Sequence, residues 1–225
     1  MPAAKKSKKN KLQKRNDPPE RIGKLLVAFG TASITIAICI IGIVFSPVIG
    51  NELSYQFHSR KPIRVDLTQS PTNKTVDVLV PKDKNAGILI PKIRANASVV
   101  WEVDPYNEKV YQQALTKGVA HAKGSAYPGQ IGNVFIFSHS SQDFLTANRY
   151  NSIFYLLSKL VEGDEIYLFY QGKPYVYTVT GKSIVEPTNV SFLTKKTRSK
   201  ELTLMTCWPP GTSLKRYIVT AVAKE

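Results

Sequence analysis

Residues 201–223 read ELTLMTCWPPGTSLKRYIVTAVA, and this stretch decides the fold. Apolar and polar residues alternate through ELTLMTC, WPPGTSLK interrupts, and RYIVTAV resumes with β-branched and aromatic residues. Period-two patterning on both sides of a Pro/Gly loop marks two consecutive strands joined by a shaped connection. Working upstream, runs of the same kind recur: GILIPKI at 87–93, SVVWEV at 98–103, NVFIFSHS at 133–140, EIYLFY at 165–170 and KPYVYTVTGKSIVEP at 173–187. Seven or eight short strands bounded by turn residues predict an all-β domain with few short helices, closed or nearly closed into a barrel. Two segments carry helical spacing instead. NEKVYQQALTKG (107–118) places Val110, Ala114 and Lys117 on one face, with Gly118 as a stop. RYNSIFYLLSKL (149–160) aligns Ile153, Leu156, Leu157 and Leu160, with Gly163 beyond.

The first part of the chain is of a different character. Leu25–Phe45, LLVAFGTASITIAICIIGIVF, is 21 residues without a charge. About 20 apolar residues at 1.5 Å rise cross a bilayer core of roughly 30 Å. A signal peptide has a shorter apolar region and a small-residue cleavage site, which SPVIGNEL does not offer. An uncleaved transmembrane helix is the expectation. The formal net charge is +15, and nine of the 31 basic residues fall within 1–24 against two of the 16 acidic ones. That basic tail predicts a cytoplasmic N-terminus and an extracytoplasmic C-terminal part in a single-pass protein. With no helix-turn-helix, zinc or aromatic-basic motif beside the charge, no nucleic-acid partner is expected. The predicted organisation is a basic cytoplasmic tail at 1–24, a transmembrane helix at 25–45, an extracytoplasmic linker rich in proline and polar residues at 46–85, and the β-domain at 86–225.

Chemistry is sought among few residues. There are two cysteines; Cys39 lies in the apolar run, and a disulfide from it to Cys207 would tie a membrane segment to the β-domain, so none is expected. Cys207 ends a strand beside a loop, where a reacting group is accessible. Arg216 opens the next strand and can reach the same place. A thiol is a weak nucleophile until deprotonated, a neighbouring cation favours the thiolate, and a guanidinium can donate to a developing oxyanion. Of the three histidines, His58 falls in the linker, His121 in a glycine-rich loop, and His139 at the end of the strand NVFIFSH. His139 is the candidate general acid and base. Each of the three also has a plain reading when taken alone: a packed thiol, a structural histidine, a surface arginine. A metal site is not expected, since one Cys and three scattered His lack ligand spacing, and no phosphate-cradling glycine loop implies a cofactor.

Several motifs in order resemble one family. TLMTC, then PPGT, then Arg216 resemble the TLxTC…R signature of the sortases. ILIPKI at 88–93 is similar to the strand that opens the sortase core, and LTKGVAHAKGSAYPGQIGNVFIFSH at 115–139 to the stretch that ends at that family's catalytic His. The resemblance spans about 86–223. It implies the closed eight-stranded sortase-type β-barrel, with Cys207 as nucleophile, His139 as acid/base and Arg216 stabilising oxyanion or substrate. It implies partners as well: surface proteins bearing an LPxTG-like sorting signal, and an amine acceptor on a peptidoglycan precursor or a pilin. His121 falls where many members have a His but is not the catalytic one. Two departures stand out. Ser138 replaces a common glycine before the His, with SSQDF following, and Trp208 flanks the Cys in a loop more like classes D and E. No acidic lid-like segment precedes the core, which favours wall anchoring over pilin polymerisation. A different extracytoplasmic cysteine peptidase, or a non-catalytic binding barrel, are the rival readings.

Overall fold

The computed structural model describes residues 20–58, 63–65, 77–140 and 153–224. The chain divides into two compact units, 1–46 and 47–225. In the first, helix α1 (Glu20–His58) begins, and its segment Ile22–Ile43 has mean hydropathy 2.4 with every side chain exposed. That is long and apolar enough to span a bilayer. Within 46–85, α1 continues to His58, and two short strands, β1 (Ile63–Val65) and β2 (Asp77–Leu79), pair in parallel.

In the second unit eight strands close a barrel. They are β3 (Ala86–Ile90), β4 (Ala95–Val103), β5 (Val119–Ala122), β6 (Gly132–Phe137), β7 (Glu165–Tyr170), β8 (Lys173–Val185), β9 (Lys200–Trp208) and β10 (Lys215–Ala223). Around the barrel the order is β10-β8-β7-β3-β4-β5-β6-β9. Two neighbouring pairs are parallel, β4 with β5 and β6 with β9; the other barrel pairings are antiparallel. A parallel pair needs a crossover. Between β4 and β5 that crossover contains helix α2 (Glu108–Leu115), whose N-terminus is capped by Asn107 accepting from the Val110 N–H at 3.3 Å.

Side chains alternate across the wall. Inward go Val134 and Ile136 of β6, Leu202 and Leu204 of β9, and Tyr217 and Val219 of β10, all buried in the main core. Outward on β5 and β6 go Ala120, Ala122, Phe135 and Phe137, which pack with Ala114 and Leu115 of α2 as a second core. Both faces of β5 and β6 are therefore covered, which is why VFIF (134–137) is apolar without a break.

Three local expectations are corrected. Strand β5 lies where the sequence suggested a glycine-rich loop, so His121 is a strand residue. The buried face of α2 is Tyr111, Ala114 and Leu115 rather than Val110, Ala114 and Lys117; Val110 is 43% exposed and Lys117 is exposed too, because the helix lies one position round from that reading. The second expected helix is instead a turn followed by a 3-10 segment at Leu157–Lys159. Phe154, Leu157 and Leu160 are fully buried at a spacing of three, the 3-10 period, so one tight edge enters the core. Residues 149–152 of that expectation lie outside the described residues.

Candidate active site

Register assembles the site. On β9, Leu202, Leu204 and Thr206 share the inward parity, so Thr203, Met205 and Cys207 lie on the outer face with α2. Cys207 is directly paired with Arg216 across β9 and β10. On the other side β6 runs parallel to β9, with Gly132 opposite Lys200 and Phe137 opposite Met205, a constant offset of 68 residues. Continued for two residues, that offset brings His139 level with Cys207. The continuation is held by two bonds: the Ser138 N–H donates to Met205 O at 3.1 Å, and the buried Thr206 hydroxyl donates to Ser138 O at 2.9 Å. His139, Cys207 and Arg216 thus form one row across three adjacent strands spaced about 4.8 Å apart. The threonine before the cysteine has a physical role here, since it ties the end of β6 to β9.

The row opens into a cleft of about 1000 Å³. Phe135, Phe137, Met205 and Ile218 contribute apolar surface, Tyr111 and Gln112 come from α2, and residues 187–193 form a further wall. That wall is anchored from beneath: Thr203 donates to Asn133 Oδ1 at 2.8 Å, and Asn133 Nδ2 donates to Phe192 O at 2.8 Å. Cys207 is a free thiol, partly exposed. Arg216 donates from Nη1 to Ser213 O at 3.1 Å and Lys215 O at 3.2 Å, so the loop after the cysteine orients the guanidinium. Its Nε and Nη2 hydrogens are uncommitted among the described residues. His139 Nε2 lies 3.1 Å from Gln112 Oε1. Burial raises the Tyr111 phenol above its ordinary value, and Glu108 and Cys207 add to the rise while Arg216 opposes it. Tyr111 also meets Phe137 edge-on at 6.2 Å. An apolar floor, a thiol, an imidazole and a guanidinium in one row suit acyl transfer from an extended peptide.

All three residues expected from the sequence line this cleft. His121 does not, being fully buried on β5; His58 is the last residue of α1. Sequence reasoning missed Tyr111 and Gln112. Their signal was the Asn107 cap, which sets where α2 begins and hence which side chains face β6 and β9. Among the described residues, no three His, Cys, Asp or Glu side chains gather as metal ligands.

Comparison with known proteins points one way. A family profile described as Sortase domain matches residues 88–224. Sortase D of Bacillus subtilis (strain 168) is 28% identical over 168 residues, spanning 72% of this chain and 76% of that protein. A solved lid mutant of sortase A from Corynebacterium diphtheriae is similar at TM-score 0.52 and 28% identity, over 64% of this chain and 71% of that one. A sortase D5 transpeptidase from Clostridium perfringens is similar at TM-score 0.51 and 26% identity, over 64% of this chain and 80% of that one.

Proposed function

This chain belongs to the sortase family of cysteine transpeptidases, and from that premise we propose that it is a membrane-anchored sortase joining surface proteins with an LPxTG-like sorting signal to an amine of the cell wall. The observation that carries this reading is the His139–Cys207–Arg216 row in the cleft. Cys207 Sγ, as thiolate, attacks the carbonyl carbon of the sorting-motif threonine. Uncommitted N–H groups of Arg216 donate to the oxyanion that develops. His139 gives its proton to the departing amine as the C–N bond breaks, leaving a thioester on Cys207. The acceptor amine then attacks the thioester, His139 takes its proton, and Cys207 leaves as thiolate.

The apolar helix segment Ile22–Ile43 anchors the enzyme, with the basic tail cytoplasmic and the barrel outside in a single-pass arrangement. Tethering the barrel beside membrane-held substrates raises their effective concentration. Wall anchoring is favoured over pilin polymerisation by the lack of an acidic lid-like segment in the sequence before the core. The test is a library of sorting peptides given to the detergent-solubilised full chain, with and without an added amine. Cleavage after threonine and ligation to the amine support the reading. Hydrolysis with no ligated product would make the chain a peptidase instead.

A further inference from the structure

We infer that Glu108, the first residue of α2, captures the acceptor amine in its ammonium form. The inference rests on the transpeptidase reading and adds to it where the second substrate enters. An amine of the lysine kind has an ordinary pKa of about 10.4, so it arrives at neutral pH as a cation. The cleft it must enter already holds the fixed positive charge of Arg216. Like charges repel, and a carboxylate in the same cleft offsets that repulsion and draws the cation in. Among the described residues that line the cleft, Glu108 is the one carboxylate.

The fold holds this charge at the cleft and leaves it available. Asn107 caps α2 immediately before Glu108, and in the turn leading to it Asp104 Oδ1 accepts from the Tyr106 N–H at 2.9 Å. Glu165, Glu186 and Glu201 each pair with a lysine, whereas the exposed Glu108 pairs with no Lys, Arg or His among the described residues. Tyr111 lies within electrostatic reach of Glu108, Cys207 and Arg216 alike, so the carboxylate and the row share one neighbourhood. Tyr106 and Tyr111 also line the cleft, and the face of a tyrosine ring attracts an ammonium. The docked cation loses one proton to water. The neutral amine then attacks the thioester, and its second proton passes to His139. Glu108 therefore acts on capture of the amine and not on turnover. A carboxylate at a helix N-terminus also stabilises the helix, a separate role that melting reads.

The test uses the detergent-solubilised full chain, the sorting peptide it cleaves best, and two acceptors. One is Nα-acetyl-lysine amide, a cation at neutral pH; the other is hydroxylamine, which is uncharged there. Glu108→Gln should raise KM for the lysine amide about fivefold, the scale of one exposed ion pair, and leave KM for hydroxylamine at the parent value. Glu108→Asp should restore it, and Glu108→Lys should raise it further. Added salt should raise KM for the lysine amide in the parent but not in E108Q, because salt screens the charge. Equal KM for the lysine amide in parent and E108Q would overturn the inference. So would a rise of the same size for both acceptors, which marks a change of shape and not a lost charge. If E108Q does not fold, the parent decides: the same salt dependence for both acceptors overturns the inference. If the parent joins neither acceptor to any peptide, the transpeptidase reading falls and this inference with it.

Discussion

Two histidines sit on β5 and just past the end of its neighbour β6, and their surroundings could hardly differ more. His121 on β5 is fully buried, with ring centroids of Trp101 and Tyr127 at 4.9 and 5.1 Å. Its Nε2 lies 3.0 Å from Ala126 O and 2.9 Å from the Ser125 hydroxyl, and the Glu102 N–H points at Nδ1 from 3.5 Å. Every ring nitrogen is engaged, and burial holds the imidazole below its ordinary value, against the raising effects of the Ala126 bond and Glu102. His139, just past β6, lines a cleft level with a thiol and keeps company with an amide and a guanidinium. The same residue type is a structural plug where a wall of aromatics closes over it and, in the mechanism proposed above, a proton carrier where the chain opens onto a cleft. What separates them is parity: His121 shares the inner face with Val119, and His139 the outer face with Phe137.

The largest expected effect breaks the contrast at the cleft. His139→Ala should lower transfer of a sorting peptide by about 10³-fold or more, the scale for losing a member of a nucleophile–base unit, with melting unchanged; full activity would remove His139 from the mechanism. Next is Arg216→Lys, which keeps the charge and loses the planar fork. A fall in kcat of about 10²-fold is expected from one lost oxyanion donor, and unchanged turnover would take Arg216 out of that role.

The third experiment moves to the other histidine. His121→Ala should leave kcat of the folded enzyme near the parent but destabilise it by about 2–4 kcal/mol, since it opens a cavity and orphans buried polar partners; denaturant titration reads this. The parent should also show a pH dependence that the variant lacks. A histidine whose folded value is depressed stabilises fully above its unfolded value of about 6.5, and stability falls as pH drops from there towards the folded value. Stability that is flat across this window in both proteins would contradict the assignment. The smallest effect is at Asn107→Ala, where loss of the α2 cap should cost about 1 kcal/mol.

The sequence shows the strands well wherever one face is dry and the other wet, as in ELTLMTC and RYIVTAV. It hides β5, because VAHA is four residues long and covered on both faces, leaving no alternation to detect. It misleads at 153–160, where Phe154, Leu157 and Leu160 obey a period of three that a helical reading absorbs. At the site, Cys207 and Arg216 are legible together because a short loop makes their strands antiparallel neighbours. His139 is harder: the 68 residues to Cys207 acquire meaning only once β6 is known to lie parallel beside β9, a matter of topology. Gln112 carries only an indirect signal, the Asn107 cap that starts α2, since its place also depends on how that helix docks.

The most direct test of the central claim is to trap the enzyme with an LPxTG-type peptide, without amine, and map the adduct by mass spectrometry. The account expects the fragment ending in threonine joined as a thioester to Cys207, discharged on adding an amine, and missing from Cys207→Ala. An adduct at another residue, or transfer that persists in Cys207→Ala, would contradict it.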